Sequence, residues 1–363
     1  MTRGDAHGEN SKALLGIKRA YKLNLKELSE KLGLSQTTVS RALNGYPEVS
    51  EATRARVMNA AQQTGYKPNK AAQRLATGKA ASIGLVMQSA PELGGDPHFA
   101  EFLSGLAEES VKHDFHFVMA PASPDDEVAA LRRLIASGYV DAVFVAHVID
   151  PDPRVELLKS SGMPYLMHGR LMGDEHDYPY LDVDNEGAFY TAAKLLLQLG
   201  HKRIALLNGM ERFTFAIRRK NGLERALREA GLSLPNDYTQ HSVMNDQMGL
   251  RGMEGFLALP EPPTAVLCAS TALALGAVRA INKAGLKPGE DISLIAHDDV
   301  LSLLKPESFS VPLTTTRSSL RAAGVRVAQR LISTVKGGPK MAEQELWEAE
   351  LIVRASTGPA PQR

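Results

Sequence analysis

The chain has 363 residues, 44% of them hydrophobic and 23% charged, with a formal net charge of +1. That length holds two or three domains with ample core, and the composition is that of an ordinary globular protein. One cysteine, Cys268, excludes an internal disulfide framework and a multi-cysteine zinc site, and the longest apolar runs fall short of the ~18 residues of a membrane span.

The first 22 residues are polar, carry Gly4 and Gly8, and contain no continuous apolar stretch of the kind a secretory signal needs. They read as a flexible extension of a protein that stays in the reducing cytoplasm. Charge is uneven beyond them. Residues 1–80 hold 14 Lys and Arg against 6 Asp and Glu, whereas the remainder holds 28 against 35. A basic head on an acidic body suits binding to a phosphate backbone, although basic termini are often only solvated tails.

Order begins at Asn24, a good N-cap for Leu25 to Leu32, whose Leu25, Leu28 and Leu32 fall on one helical face. Gly33 stops that helix. Ser35 caps a second helix, Gln36 to Leu43, with Val39, Ala42 and Leu43 inward and Gln36, Thr37, Thr38, Ser40 and Arg41 outward. Asn44-Gly45-Tyr46-Pro47 makes a turn, and Ser50 caps a third helix through Thr64. Helix, glycine turn, helix is the helix-turn-helix arrangement, whose second helix enters the major groove. Arg41 can offer paired donors to guanine and Gln36 an amide fork to adenine. Ser35, Ser40 and Asn44 suit phosphates, and Asn24, Thr37 and Thr38 complete the candidate DNA-contacting set. A plain three-helix bundle with a polar outer face has the same spacing.

The stretch from Leu25 through Leu-Ser-Gln-Thr-Thr-Val-Ser-Arg-Ala-Leu-Asn to Gly65-Tyr66-Lys67-Pro68-Asn69 closely resembles the DNA-binding head of LacI-family transcription regulators. The resemblance implies a sequence-specific DNA-binding regulator, not an enzyme. It also implies a hinge helix at Lys70 to Ala76, too short to be stable alone, with Lys70 and Gln73 near DNA and Leu75 as the apolar wedge between central base pairs. Otherwise this segment is a linker whose Leu75 packs on the body.

From Ser82 the pattern alternates strand and helix: strands at Ile83–Met87, Phe115–Met119 and Ala142–Val145, helices at Phe99–Lys112 and Glu127–Ser137. A second set follows, with strands at Ile204–Leu207, Ala265–Cys268 and Ile292–Ile295 and a helix around Arg219–Ala230. Continuous apolar strands between helices predict two doubly wound parallel-sheet α/β lobes, with ligands at the carboxyl ends of strands. Val183–Ala188, Leu199–Ile204, Pro312–Thr315 and the closing Leu351–Thr357 are similar to landmarks of the family's effector core, a fold shared with periplasmic sugar-binding proteins. The expected domains are an extension at 1–22, a head at 23–68, a hinge and linker at 69–80, and an effector-binding and dimerisation core at 81–363.

Sugar recognition needs planar multi-donor and multi-acceptor side chains around an apolar platform. The resemblance implies that Arg219 grips effector hydroxyls and that Asp298 accepts from them. His168 and Arg170 follow another strand, and Asp96, His98 and Phe99 follow the first. Ser270-Thr271 stand where many family members have an Asn-Asp pair. Each has a plainer reading: Arg219 on a solvated basic face, Asp298 or Asp299 as a helix cap, His168 as a core histidine. The segments SRALNGYPEVSEATR, DPHFAEFLSG and MHGR resemble regulators of α-glucoside uptake, which points to a disaccharide such as sucrose, maltose or trehalose.

Asp182-Val183-Asp184-Asn185-Glu186-Gly187 imitates the start of a calcium loop, but Ala193 stands where a bidentate Glu is required. No phosphate loop, zinc-protease or nucleophile-elbow motif occurs, and neither a cofactor nor a membrane partner is expected. The expected partners are a pseudo-palindromic operator, a sugar effector and a second copy of the chain. No closing leucine heptads favour a tetramer. Release by sugar is the expected sign; a sugar- or purine-type corepressor gives the reverse. The wedge reading predicts that Leu75→Ala weakens operator binding and leaves effector affinity intact. Unchanged operator affinity in a fluorescence titration rejects it.

Overall fold

The computed structural model describes residues 23–66, 78–88, 97–173, 177–338 and 344–362. The chain divides into two compact units, Met1–Lys79 and Ala80–Arg363. Residues 1–22, the expected hinge helix with Lys70, Gln73 and Leu75, and Asp96 lie outside the described residues.

The first unit contains helices α1 (Leu25–Leu32), α2 (Gln36–Leu43) and α3 (Glu51–Thr64). Each starts where its cap predicts. Asn24 closes a capping box with Glu27, Ser35 accepts from the Thr38 amide at 3.0 Å, and Ser50 accepts from the Thr53 amide at 3.3 Å. Gly33 and Gly65 end α1 and α3 in the left-handed conformation. Leu28, Leu32, Val39, Ala42, Val49, Val57 and Ala61 form the core. Such a small core leaves little surplus stability, so the polar tethers matter. Arg56 donates to the Leu32 carbonyl, tying α3 to the end of α1, and Arg54 donates to the Tyr46 carbonyl, which fixes the turn between α2 and α3.

The second unit is two lobes, each built on a six-stranded sheet. Lobe 1 contains β1 (Ser82–Gln88), α4 (Pro97–Lys112), β2 (His116–Ala122), α5 (Glu127–Ala136), β3 (Ala142–Val145), α6 (Pro153–Ser161), β4 (Tyr165–His168) and β5 (Tyr180–Val183). Lobe 2 contains α7 (Asn185–Gln198), β6 (Ile204–Asn208), α8 (Thr214–Glu229), β7 (Thr239–His241), α9 (Asp246–Leu257), β8 (Ala265–Cys268), α10 (Thr271–Lys283), β9 (Ser293–Asp298) and β10 (Thr314–Arg317). The chain then returns to lobe 1 for α11 (Leu320–Val335) and β11 (Gln344–Trp347), and to lobe 2 for β12 (Glu350–Ile352). It therefore crosses between lobes at 183–185, 317–320 and 347–350. The strand orders are β11-β5-β4-β3-β1-β2 and β12-β10-β9-β8-β6-β7, parallel throughout except for β10 with β12. Helices cover both faces of each sheet, as buried parallel strands require. In lobe 1, α4 and α11 pack on one face and α5 and α6 on the other.

Several boundaries differ from expectation. Helix α8 starts at Thr214, five residues before Arg219, because its entry has no capping side chain to mark it; the Thr214 amide instead donates to the Val148 carbonyl of lobe 1 at 2.9 Å. The closing strand ends at Ile352. Ser356 leaves the ladder, donating to the Leu294 carbonyl at 2.7 Å and accepting from the Thr314 amide at 2.8 Å.

Glycine sets the closest helix crossings. A Cβ on Gly105 of α4 meets the Arg321 carbonyl of α11 at 1.9 Å, and one on Gly324 meets the Phe102 carbonyl at 2.1 Å. The same interlock joins α9 and α10, where a Cβ on Gly276 meets the Asp246 carbonyl at 1.9 Å. Gly105→Ala is expected to destabilise the core by about 1–3 kcal/mol through overpacking. Gly255→Ala, exposed on α9 with open space around it, should stabilise by about 0.5–1 kcal/mol as a better helix former. Thermal unfolding of the two variants checks the opposite signs.

Candidate nucleic-acid and effector sites

On the head, Gln36, Thr37, Ser40 and Arg41 of α2 line one shallow concavity of about 360 Å³, open to solvent, together with Leu25, Asn44 and Tyr46. The helix N-terminal half presents short polar side chains there and one cation, with no carboxylate among the lining residues. Three other candidates serve the fold. Asn24 and Ser35 are occupied as caps, and Thr38 pairs with Ser35 at 2.8 Å. Asn44 also holds the end of α2, donating to the Ser40 carbonyl at 2.9 Å. Tyr46 was legible only as a turn residue. The residue is 39% exposed, and an exposed aromatic beside a polar helix is the signal that marks it.

In the core, a cleft of about 780 Å³, counting its open mouth, lies between the lobes. Its lining comes from strand ends and the residues after them: His147 and Val148 past β3, His168 and Gly169 at β4, Asp182 of β5, and His297 and Asp299 at β9. Helices add His98, Phe99 and Phe102 from α4, Asn185 from α7, and Thr214, Phe215 and Arg219 from α8. This is the crevice outside the carboxyl ends of parallel strands, where α/β folds bind ligands.

Arg219 is buried, which overturns the solvated-face reading. Its Nε donates to Asn185 Oδ1 at 2.7 Å and Nη1 to the Ala269 carbonyl at 2.5 Å. The guanidinium lies 5.0 Å from the Phe215 ring centre and 5.3 Å from that of Phe189. Burial pulls its pKa down to about 10, opposed by the charges of Asp299 and Asp182. It stays protonated at neutral pH. Asp182 is pushed up to about 6 by burial, opposed by Arg170, whose Nε donates to it at 3.1 Å.

His168 lines the cleft 4.6 Å from the Phe102 ring, and burial, with the nearby His147, lowers its pKa to about 4. Phe99 also lines the cleft. Arg170 does not line it but orients Asp182. Ser270 is a correction: it is fully buried and caps α10, accepting from the Leu273 amide at 3.2 Å. Asp298 is a second. Its carboxylate accepts from the Val300 amide at 2.8 Å and faces Arg317, while Asp299 takes the position in the cleft. There Asp299 lies 3.5 Å from His98 Nε2 and 3.4 Å from His297 Nε2. The shift by one residue follows the alternation of side chains at a strand end. The calcium-like run is also accounted for, since Asp184 caps α7 through the Gly187 amide at 2.9 Å. Among the described residues no acidic, histidine or cysteine group could hold a metal ion, and no helix is long and apolar enough to cross a membrane.

Residues 24–69 match the model for bacterial regulatory proteins of the lacI family, and residues 193–357 match a periplasmic binding protein-like domain. The HTH-type transcriptional regulator AglR of Rhizobium meliloti is 66% identical over 341 residues, 94% of this chain and 96% of the relative. The chain belongs to the LacI family. RafR of Escherichia coli, another HTH-type regulator, is 31% identical over 90% of this chain and 96% of its own. Among solved structures, the lac repressor dimer bound to operator and the anti-inducer ONPF shares 25% identity, with a TM-score of 0.79 over 93% of this chain and 99% of that one. The complex of the regulator CelR with cellobiose shares 27%, with a TM-score of 0.66 over 92% and 100%. This LacI-family chain is thus a DNA-binding transcriptional regulator and not an enzyme.

The charge state of Asp182 makes a prediction for any hydroxyl-bearing effector of this regulator. A hydroxyl donating to the carboxylate stabilises its deprotonated form, so affinity is complete above pH 7 and falls as pH drops through about 6. His168, with its pKa near 4, stays neutral across that window. Titration calorimetry between pH 5 and 8 should show the step, and Asp182→Asn should flatten it. A step that persists in Asp182→Asn assigns it to another group.

Proposed function

We propose that this chain is a homodimeric repressor of genes for sugar uptake and breakdown, with an α-glucoside disaccharide as the effector that releases it from its operator. The observation that carries the reading is the composition of the cleft. Arg219, Asn185, Asp182, Asp299, His98 and His297 bring planar donors and acceptors around a wall of Phe99, Phe102 and Phe215. A pyranose has hydroxyls at its edge and C–H groups on its faces, and this pairing of fixed polar groups with an aromatic platform suits both. One cation and two carboxylates leave no cationic excess for a sugar phosphate. The CelR complex is with cellobiose, a disaccharide, and the α-glucoside choice rests on the segment resemblances of the sequence.

The expected dimer places one recognition helix in each half-site of a near-palindromic operator. Effector binding acts through the lobes. In the present conformation they are clasped by Thr214 to Val148, by Arg218 to the Leu171 carbonyl, and by the Ser302 amide to Glu101 at 2.9 Å. A ligand bridging the lobes favours the clasped form over an open one. By linkage, an effector that weakens operator binding is itself bound more weakly by the operator complex. Converting 99:1 operator occupancy to 1:99 takes about 5.5 kcal/mol of differential binding, shared in the dimer between two clefts.

The test is fluorescence anisotropy on labelled DNA from upstream of neighbouring sugar-transport genes, titrated with maltose, sucrose and trehalose. Release by one disaccharide, and its loss in Arg219→Met with operator binding retained, is expected. Tight binding indifferent to every sugar rejects the effector. Tighter binding with sugar reverses the sign and makes the sugar a corepressor.

A further inference from the structure

The turn after α2 adds an aromatic ring to the concavity lined by Gln36, Thr37, Ser40 and Arg41. Tyr46 is the one aromatic among the described residues lining it, and it is exposed. The backbone fixes its position. Gly45 has φ of 74°, its amide donates to the Ala42 carbonyl at 3.3 Å, and the Tyr46 amide donates to the Arg41 carbonyl at 3.1 Å. These two bonds are a Schellman close, in which the residue after the glycine often packs an apolar side chain back onto the helix. Here the helix position it would pack on holds Arg41, an exposed cation. An aromatic ring kept in solvent beside a cation is a poor use of apolar surface for the fold alone.

The carbonyls around Tyr46 are met. A helix C-terminus presents its last carbonyl dipoles outward and disfavours a nearby anion. At the end of α2 the Ser40 carbonyl accepts from the Asn44 amide at 3.0 Å and from the Asn44 side chain at 2.9 Å. The Arg41 and Ala42 carbonyls are taken by the turn itself. Arg54 of α3 donates to the Tyr46 carbonyl at 2.8 Å and lies 3.5 Å from those of Gly45 and Val49. Glu48, the carboxylate of the turn, does not line the concavity. The negative end of the helix is thus masked next to Tyr46.

We infer that Tyr46 is a contact to the operator backbone, its phenol hydroxyl donating to a phosphate oxygen at the wall of the groove that α2 enters. The second helix of this motif puts its N-terminal residues on base edges. The 8 residues of α2, at 1.5 Å of rise each, carry its far end about 12 Å from its start, roughly the width of the major groove. A side chain held there meets the sugar–phosphate wall rather than a base, and tyrosine hydroxyls are among the groups that bind phosphate. The masked helix end lets a phosphate approach. The phenol adds a donor without adding charge, so its contact releases no counterion. The inference depends on the DNA-binding function alone and not on the sugar reading.

The test uses the full-length protein and a duplex that it selects from a random-sequence pool, with affinity read by fluorescence anisotropy across a range of salt. Tyr46→Phe keeps the ring and removes only the hydroxyl. It should weaken binding roughly tenfold, the loss expected for a hydrogen bond to a charged group. The slope of log affinity against log salt should stay as in the wild type, and single-base variants of the duplex should show the same loss. Replacing phosphates one at a time by neutral methylphosphonates should find a position where the wild type loses affinity and Tyr46→Phe does not. Should Tyr46→Phe prove less stable, that coupling still decides, because a weakened fold lowers affinity alike at every phosphate. Unchanged affinity in Tyr46→Phe overturns the contact, as does a loss coupled to no phosphate. A loss confined to one base pair also overturns it and makes Tyr46 a base reader.

Discussion

Burying a guanidinium is costly unless every part of it is met, and the core of this protein is arranged around meeting one. Arg219 projects from α8, and its surroundings come from elements far apart in the chain: the amide oxygen of Asn185 at a lobe crossing, the carbonyl of Ala269 at the end of β8, and rings of Phe189 and Phe215. Two carboxylates oppose the desolvation from opposite sides, Asp182 of lobe 1 and Asp299 of lobe 2. Because they belong to different lobes, the electrostatic environment of the arginine depends on the lobes being together. A charge whose partners come from two bodies couples occupancy of the cleft to their relative position.

The threefold passage of the chain between lobes makes that coupling mechanical as well. A single linker would let the lobes swivel freely. Three short connections at 183–185, 317–320 and 347–350 restrict them to a hinge-like opening, and the first two adjoin groups that line the cleft. Asp182 and Asn185 flank the first, and Ser318 of the second accepts or donates to His297 at 3.0 Å. Opening must therefore disturb groups that line the cleft. Close helix packing at Gly105 with Gly324 and at Gly249 with Gly276 keeps each lobe rigid, so that motion is confined to the crossings.

The head works by a different economy of structure. Its core is seven buried side chains, and its caps are made by residues that also stand on the polar side of the helices. Asn24, Ser35 and Thr38 are spent on satisfying helix N-termini, whereas Gln36, Thr37, Ser40 and Arg41 are left facing a common concavity with Asn44 and Tyr46. The division between capping residues and those left facing the concavity is set by which backbone N–H groups need an acceptor.

Local information was sufficient wherever one turn of chain decides the outcome. Caps at Asn24, Ser35 and Ser50, the glycine stops, the apolar faces of the head and the continuous apolar strands were all legible in the sequence, because each depends on neighbours within about four residues. The alternation of strands and helices extended that reading to two α/β lobes, the position after a strand to His168 as a cleft residue, and the family resemblance to Arg219. What escaped depended on contacts remote in the chain. The start of α8 is set by Val148 across the cleft rather than by a cap. Asp299 rather than Asp298 faces the cleft because of strand pleat and the turn at Val300, and Ser270 is drawn inward to cap α10. Nor could any window of sequence show that α11 and β11 return to complete lobe 1, since their apolar faces fit either sheet equally well until the three crossings fix where they lie.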